Sequence, residues 1–326
     1  MMKVIQPGVM ALVQDGGRIG KHRIGLTTGG PLDRHAMDWA NRLCGNAVDT
    51  TALEISIGGL VLEAQQDTVI AVTGADMPLS IGKQPRARWQ TQPVKAGERI
   101  ELGYAQQGCR TYLAVAGGFQ VEPMFGSTAT VVREKLGGLH GKALANGDVL
   151  PCPATAAGSI PLQQLATEHR PQYASSVTLR VIPGYQQAHF SAAQQALFFS
   201  STYTVSEQCD RMGYRLEGQP VQADITSMLS EGICYGAIQI PANGQPIVLL
   251  NDRQTIGGYP VKSGRCCRWT SRASPSCCRV ARCILPRSVR RKHTMPCNWR
   301  PTVLPIPAYS RWRIHDDLVP ARPGYC

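Results

Sequence analysis

Residues 14–46 read QDGGRIGKHRIGLTTGGPLDRHAMDWANRLCGN, two glycine-rich loops running into one helix. Asp33 suits the N-cap, where its carboxylate can accept a free backbone N–H. Met37, Ala40 and Leu43 follow at helical spacing, and Gly45 stands where a C′ glycine closes the last turn. Working outward, Val69–Thr73, Ile100–Leu102 and Thr111–Ala116 are rich in β-branched or apolar residues and read as strands. From Val149 to about Ser176, Pro151, Pro153, Pro161 and Pro171 interrupt Ala, Ser and Gln with little periodicity, which suits a linker. A second unit follows. Thr178–Ile182 reads as a strand ending at Pro183-Gly184, and Phe190–Phe199 as a short helix. Gly236–Leu250 reads as a hairpin turning at Asn243-Gly244, residues that tolerate positive φ. The expected class is mainly β (α+β): a first lobe over 1–150, a linker over 151–176 and a second lobe over 177–261.

The chain changes character near Lys262. Residues 1–261 carry 20 Lys+Arg and 20 Asp+Glu, whereas residues 262–326 carry 14 Lys+Arg and only Asp316 and Asp317. Seven of the 12 cysteines also fall in this tail. Loss of one base near the Lys262 codon accounts for the change. Read from the third base of each codon, Arg265–Thr270 encode Leu/Met/Val, Leu, most commonly Ser, Leu/Met/Val and a forced Asp, which suits a strand entering a turn. Lys292–Trp299 encode Ala/Thr, His/Tyr, a free position, Ala, Leu/Met/Val, Gln and Leu, which suits an amphipathic helix. The tail is therefore expected to be a frameshifted translation, disordered, leaving the second lobe incomplete. A genuine basic tail would instead point to nucleic acid or anionic membrane.

A chain of 326 residues holds two domains or one large one, and 33 glycines with 23 prolines favour turns and short strands. No apolar run reaches the roughly 20 residues that span a bilayer, and the N-terminus lacks a signal-peptide pattern, so cytoplasmic residence is expected. The charge-balanced first 261 residues show no basic stripe with interleaved aromatics, so no nucleic-acid partner and no membrane partner are expected. Cys44, Cys109, Cys152, Cys209 and Cys234 are scattered like ordinary buried thiols. His22, His35, His140, His169 and His189 are isolated, and the tail's CC-x9-CC-x4-C run lacks zinc-ribbon spacing, so no metal site is expected.

Three clusters could carry chemistry. Gln14–Arg18 with Gly29–Arg34 would let a ligand approach glycine backbone beside Asp and Arg, or would simply form tight turns. Ser206–Gly218, SEQCDRMGYRLEG, gathers Asp210, Arg211 and Arg215; an Arg fork suits a carboxylate, and equally an Asp–Arg pair can pin a turn. Asn251–Pro260, NDRQTIGGYP, follows an apolar strand, and Gln239 on the preceding strand can face the same pocket. No Walker A loop, GxSxG elbow or Cys–His signature is present.

Taken together, these clusters with Leu53-Glu54-Ile55, TGADM (73–77), YLAVAGGF (112–119), GSTAT (126–130) and GAIQIPANGQPIVLLNDRQTIGGYP resemble the biotin-dependent carboxyltransferase-like family. That family includes the C subunit of bacterial 5-oxoprolinase, the KipA protein and the carboxyltransferase part of urea carboxylase. The resemblance runs from residue 2 to about 262 and stops at the composition break. It implies two cyclophilin-like β-barrel lobes. For a free-standing chain of this length it implies an ATP-dependent enzyme subunit that works with 5-oxoprolinase subunits A and B, the latter KipI-like, to hydrolyse 5-oxo-L-proline to L-glutamate through lactam phosphorylation. ATP would be bound with a partner subunit. On this resemblance Asp210, Arg211 and Arg215 would hold the substrate carboxylate and amide, while Gly30, Asp33, Gln239, Asp252, Arg253 and Gln254 would line the cleft. The alternatives are carboxyl transfer from carboxybiotin to urea or a related amide, with biotin supplied by separate proteins, and KipA-like regulatory binding.

Overall fold

The computed structural model describes residues 1–156, 158–179, 181–225 and 229–257, together with the strands Lys262–Cys266, Arg282–Ile284 and Val303–Pro305. The chain is mostly β, as expected. In the first lobe one sheet orders its strands Val149–Leu150, Met2–Pro7, Leu60–Ala64, Arg99–Leu102, Leu79–Ile81 and Gln84–Arg86. A second sheet orders Met10–Gln14, Ala52–Ser56, Gln107–Val115, Thr68–Asp76 and Thr91–Val94. Every pairing in the two is antiparallel. Each sheet runs from edge to edge in the described pairings and does not close on itself.

Side-chain alternation along the second sheet explains how the lobe is layered. Leu53, Ile55, Ile70, Val72, Leu113 and Val115 pack with apolar residues of the first sheet. The intervening Ala52, Ala71, Tyr112 and Ala114 pack under helix α1 (Arg34–Leu43) with its Met37, Ala40 and Leu43. Small alanines let the helix sit close. The strand Ala52–Ser56 is therefore buried on both faces, which puts Glu54 inside the protein on the helix side. Helix α1 begins and ends as its caps predict. Asp33 Oδ1 accepts the Ala36 N–H at 3.1 Å, and Gly45 takes φ +72 after Cys44.

The second lobe is built on an eight-stranded sheet in the order Ser176–Thr178, Arg282–Ile284, Thr202–Cys209, Gly213–Glu217, Ile247–Leu249, Ala237–Gln239, Lys262–Cys266 and Val181–Pro183. Its core gathers Leu179, Val181, Phe198, Tyr203, Leu216, Val248 and Leu250, joined by Leu32 from the first lobe. Helix α2 spans Ala192–Ser200, capped by Ser191. Three local expectations change. The run 178–182 splits into Ser176–Thr178 and Val181–Pro183, which lie on opposite edges of the sheet. The hairpin is a long loop over 240–246, because Pro241 and Pro246 lack the N–H a ladder needs. Within it Gly244 has φ +74 and donates to Pro241 O at 2.8 Å. The proline-rich segment after residue 150 also carries structure, since Gln163–Leu165 pairs with Val303–Pro305.

Beyond Gly257, the expectation of a frameshifted, disordered tail falls outside the described residues, apart from the three short strands named above. No helix among the described residues is long and apolar enough to cross a membrane.

Candidate functional site

The two lobes meet over a buried cluster of two carboxylates and two guanidinium groups. Glu54 is fully buried, opposite Tyr112 in the antiparallel register. It accepts the Tyr112 hydroxyl at 2.6 Å, the Leu32 N–H at 2.9 Å and an N–H of Arg211. Arg110 Nε lies 3.6 Å from the same carboxylate, and Arg110 Nη1 donates to the Tyr214 hydroxyl at 2.6 Å. Arg211 faces Asp252 as a fork, with Nε to Oδ2 at 2.9 Å and Nη2 to Oδ1 at 3.1 Å. Its Nη2 also donates to the Gly30 carbonyl at 2.6 Å. Glu54, Arg110 and Gly30 belong to the first lobe, Arg211 and Asp252 to the second. The formal charges cancel, as buried charges require.

Local chemistry places each partner. Asp210 Oδ1 accepts the N–H groups of Met212 and Gly213 at 2.8 and 3.0 Å, an Asx turn that presents Arg211. Leu250 N donates to Met212 O and Asp252 N to Arg211 O, so the loop carrying Asp252 is laid along that turn by backbone bonds. Gly30 takes φ +84, with Gly17 so close that a Cβ at position 30 would lie 3.3 Å from its Cα. Gln14 fixes this loop by accepting the Gly30 N–H and donating to Thr130 O, both at 3.0 Å.

Around the cluster lies a second ring of polar groups. Arg18, 1% exposed, donates to the carbonyls of Met124, Ser127 and Ala129 at 3.0, 3.2 and 2.6 Å. Burial lowers its pKa against the pull of Asp15, Glu134 and Asp252. Thr27 is buried, hydrogen-bonded to Glu134 and 3.4 Å from the Arg253 carbonyl. His22 pairs with Thr28 Oγ1 at 2.7 Å; burial and the Arg253 charge lower its pKa and favour neutral imidazole. Near Gly257 the amide nitrogens of Gln254 and Gln239 come within 3.0 and 3.3 Å of the position a Cβ would take.

The predicted site residues thus separate. Gly30, Arg211 and Asp252 meet in the buried cluster. Asp33 lies beside it, its N–H donating to the Tyr112 hydroxyl at 2.8 Å and its Oδ2 accepting from Tyr173 at 2.8 Å. Arg253 turns to the carbonyls of Ile233 and Leu250, and Gln239 and Gln254 converge with each other. Asp210 and Arg215 are not brought to the cluster: Asp210 is exposed on its turn, and Arg215 points away from the face that buries Tyr214 and Leu216. Gly258, Tyr259 and Pro260 lie outside the described residues. Sequence reasoning did not single out Glu54, Arg110, Tyr112, Tyr214 or Glu134 as site residues. A charge inside the apolar run Ala52–Ser56 was the signal for Glu54.

The cluster carries a pH dependence. Burial opposes the Glu54 charge, yet the Arg211 and Arg110 guanidiniums and the Tyr112 bond hold its pKa below the ordinary 4.5. Its stabilising contribution is therefore complete above 4.5 and is lost as pH falls through the lowered folded value. Asp252 goes the other way, pushed up by burial and by the nearby Glu54 charge, so its contribution is complete below the ordinary 3.8 and is lost as pH rises through the raised folded value. Thermal melts across the acid range are expected to show a steep acid limb that Glu54→Gln flattens; an unchanged limb in that variant would place the acid sensitivity elsewhere.

Two β-rich lobes are thus clasped by buried opposite charges. Residues 24–264 match the family described as carboxyltransferase domain, subdomain A and B, and the chain belongs to that family. It is 40% identical to the 5-oxoprolinase C subunit of Escherichia coli (strain K12) over 264 residues, covering 80% of this chain and 83% of the relative. It is 33% identical to the 5-oxoprolinase C subunit of Haemophilus influenzae, covering 80% of this chain and 82% of the relative. Among solved structures, the Kluyveromyces lactis urea amidolyase superposes with a TM-score of 0.81 at 26% identity, covering 88% of this chain and 19% of that one.

Proposed function

We propose that this chain is the C subunit of an ATP-dependent 5-oxoprolinase, opening 5-oxo-L-proline to L-glutamate together with subunits A and B. One observation carries the assignment: the chain spans 83% and 82% of two 5-oxoprolinase C subunits but 19% of the urea amidolyase. A lactam is a poor electrophile, and phosphorylating its oxygen converts that oxygen into a leaving group; ATP would be held with a partner subunit. Gln239 and Gln254 carry amide donors and acceptors suited to a lactam. Arg211 is spent on Glu54, Asp252 and Gly30, so its role is to position the lobes around them.

Reconstitution of the chain, in its restored frame, with subunits A and B tests this. Gln239→Ala is expected to lower glutamate formation by about tenfold or more per folded molecule, a loss beyond the stability cost of truncating this buried side chain, which the melting curve measures separately. Arg215→Ala, at an exposed position, is expected to change stability by less than about 0.5 kcal/mol and to leave activity intact. A large loss in Arg215→Ala with Gln239→Ala unaffected would return the site to the 210–215 turn. Carboxyl transfer to urea would instead require a biotinylated partner, visible on a streptavidin blot.

Residues 262–326 we read as a shifted-frame translation, which predicts weak activity for the chain as it stands and recovery when the frame is restored. The family match ends at residue 264, close to the composition break, which supports this. Resequencing across the Lys262 codon separates two origins: an extra base makes the shift an error in this sequence, and an unchanged sequence makes the chain a degraded gene product.

A further inference from the structure

We infer that the loops over the Arg18 side of the site form the docking face for another subunit of the same complex, one presenting apolar side chains ringed by carboxylates. The partner's identity rests on the function proposed above; the face itself rests on geometry. Five large apolar side chains are exposed on three interlocked loops: Ile19 (55%), Ile24 (57%), Met124 (42%), Phe125 (54%) and Val132 (43%). The loops are tied side by side. Arg18 donates to Met124 O, Gly137 N approaches Met124 Sδ at 3.4 Å, and Thr27 is bonded to Glu134 and to Arg133 Nη2. Other exposed apolar residues, such as Val9, Tyr104 and Val149, lie elsewhere in the first lobe. Clustered exposure of this kind marks an interaction surface, whereas scattered exposure is ordinary.

Backbone conformation adds a second mark. Phe125 has φ +55 and Lys135 φ +52, a region that bulky residues rarely occupy and that this loop cluster nevertheless holds. Charge selects the occupant. Residues 19–25 and 122–135 carry Lys21, Arg23, Arg133 and Lys135 against Glu122 and Glu134; Arg133 and Glu134 pair with each other at 3.4 Å, which leaves Lys21, Arg23 and Lys135 against Glu122. The face is net positive. A second copy of the chain meeting it across a two-fold axis would bring like charges together, which disfavours self-association. A different subunit with acidic residues around an apolar centre matches both features. Such a partner would also cover Thr27, Glu134 and His22 and shield the site from water.

The test mixes this full chain with the purified A and B subunits of the Escherichia coli 5-oxoprolinase, following binding by titration calorimetry and the footprint by hydrogen exchange. Protection of residues 18–28, 124–127 and 131–137 is expected on association. Phe125→Asp with Val132→Asp should weaken binding by about thirtyfold or more, while Val9→Asp leaves it unchanged. Both changed side chains are exposed, so the fold is kept, and circular dichroism verifies it. Association with protection elsewhere, or unaffected by the double variant, overturns the inference and leaves the functional assignment standing. Protection of the same face at rising concentration without other subunits assigns it to a second copy and also overturns it. No association under conditions where the Escherichia coli C subunit binds overturns both.

Discussion

Arg211→Ala is expected to cost the fold about 3–5 kcal/mol and to abolish activity of the reconstituted complex. The loss exceeds the value of any single contact, because the variant leaves Glu54 and Asp252 buried with their shared cation gone. Arg110 remains near Glu54, but at 3.6 Å and already engaged with Tyr214. Arg211→Lys is not expected to rescue. A lysine offers a point charge, whereas this position bonds two carboxylates and a carbonyl with a planar fork. The lost contacts join the lobes, so each lobe's own sheet pairing remains while the junction loosens. Urea melts followed by hydrogen exchange check this: amides near Gly30 and Leu250–Arg253 should lose protection first. A variant as stable as wild type would show that the cluster contributes no clasp.

Gly137→Ala is the second large effect. A Cβ there would lie 2.0 Å from the Ala129 carbonyl oxygen and 2.5 Å from Arg18 Nη2, and the backbone sits at φ +75. The oxygen is backbone in a loop held by Asp15 and Arg18, so it cannot swing aside as a side-chain tip would. Left-handed strain of about 1–2 kcal/mol adds to displacement of the Arg18 fork. The expected total is about 3–4 kcal/mol. Gly147→Ala is the control. It has φ +88 with open space around its Cβ position, so only the strain is expected. Similar costs for the two variants would show that the loop gives way and that close packing at Gly137 is unimportant.

How far the sequence revealed this arrangement depends on the kind of signal. Helix α1 was legible to its caps because Asp33, the apolar spacing and Gly45 are local instructions. The hairpin was legible as two strands, but its loop length is set by Pro241 and Pro246 rather than by Asn243-Gly244. Within the site, Arg211, Asp252 and Gly30 were singled out because their loops look unusual. Their neighbour Arg215 looked equally promising, yet strand alternation turns it to the opposite face. Glu54 and Tyr112 are hidden for a complementary reason. They sit inside apolar strands, and their meeting depends on register between segments 58 residues apart. Nothing local announces such a pair except a charge where a strand should be apolar.

The most direct measurement is glutamate formation from 5-oxo-L-proline and ATP by subunits A and B, supplemented with this chain in its restored frame. Turnover is expected that requires all three subunits and both substrates. No turnover, under conditions where the Escherichia coli C subunit supports it, would contradict the account.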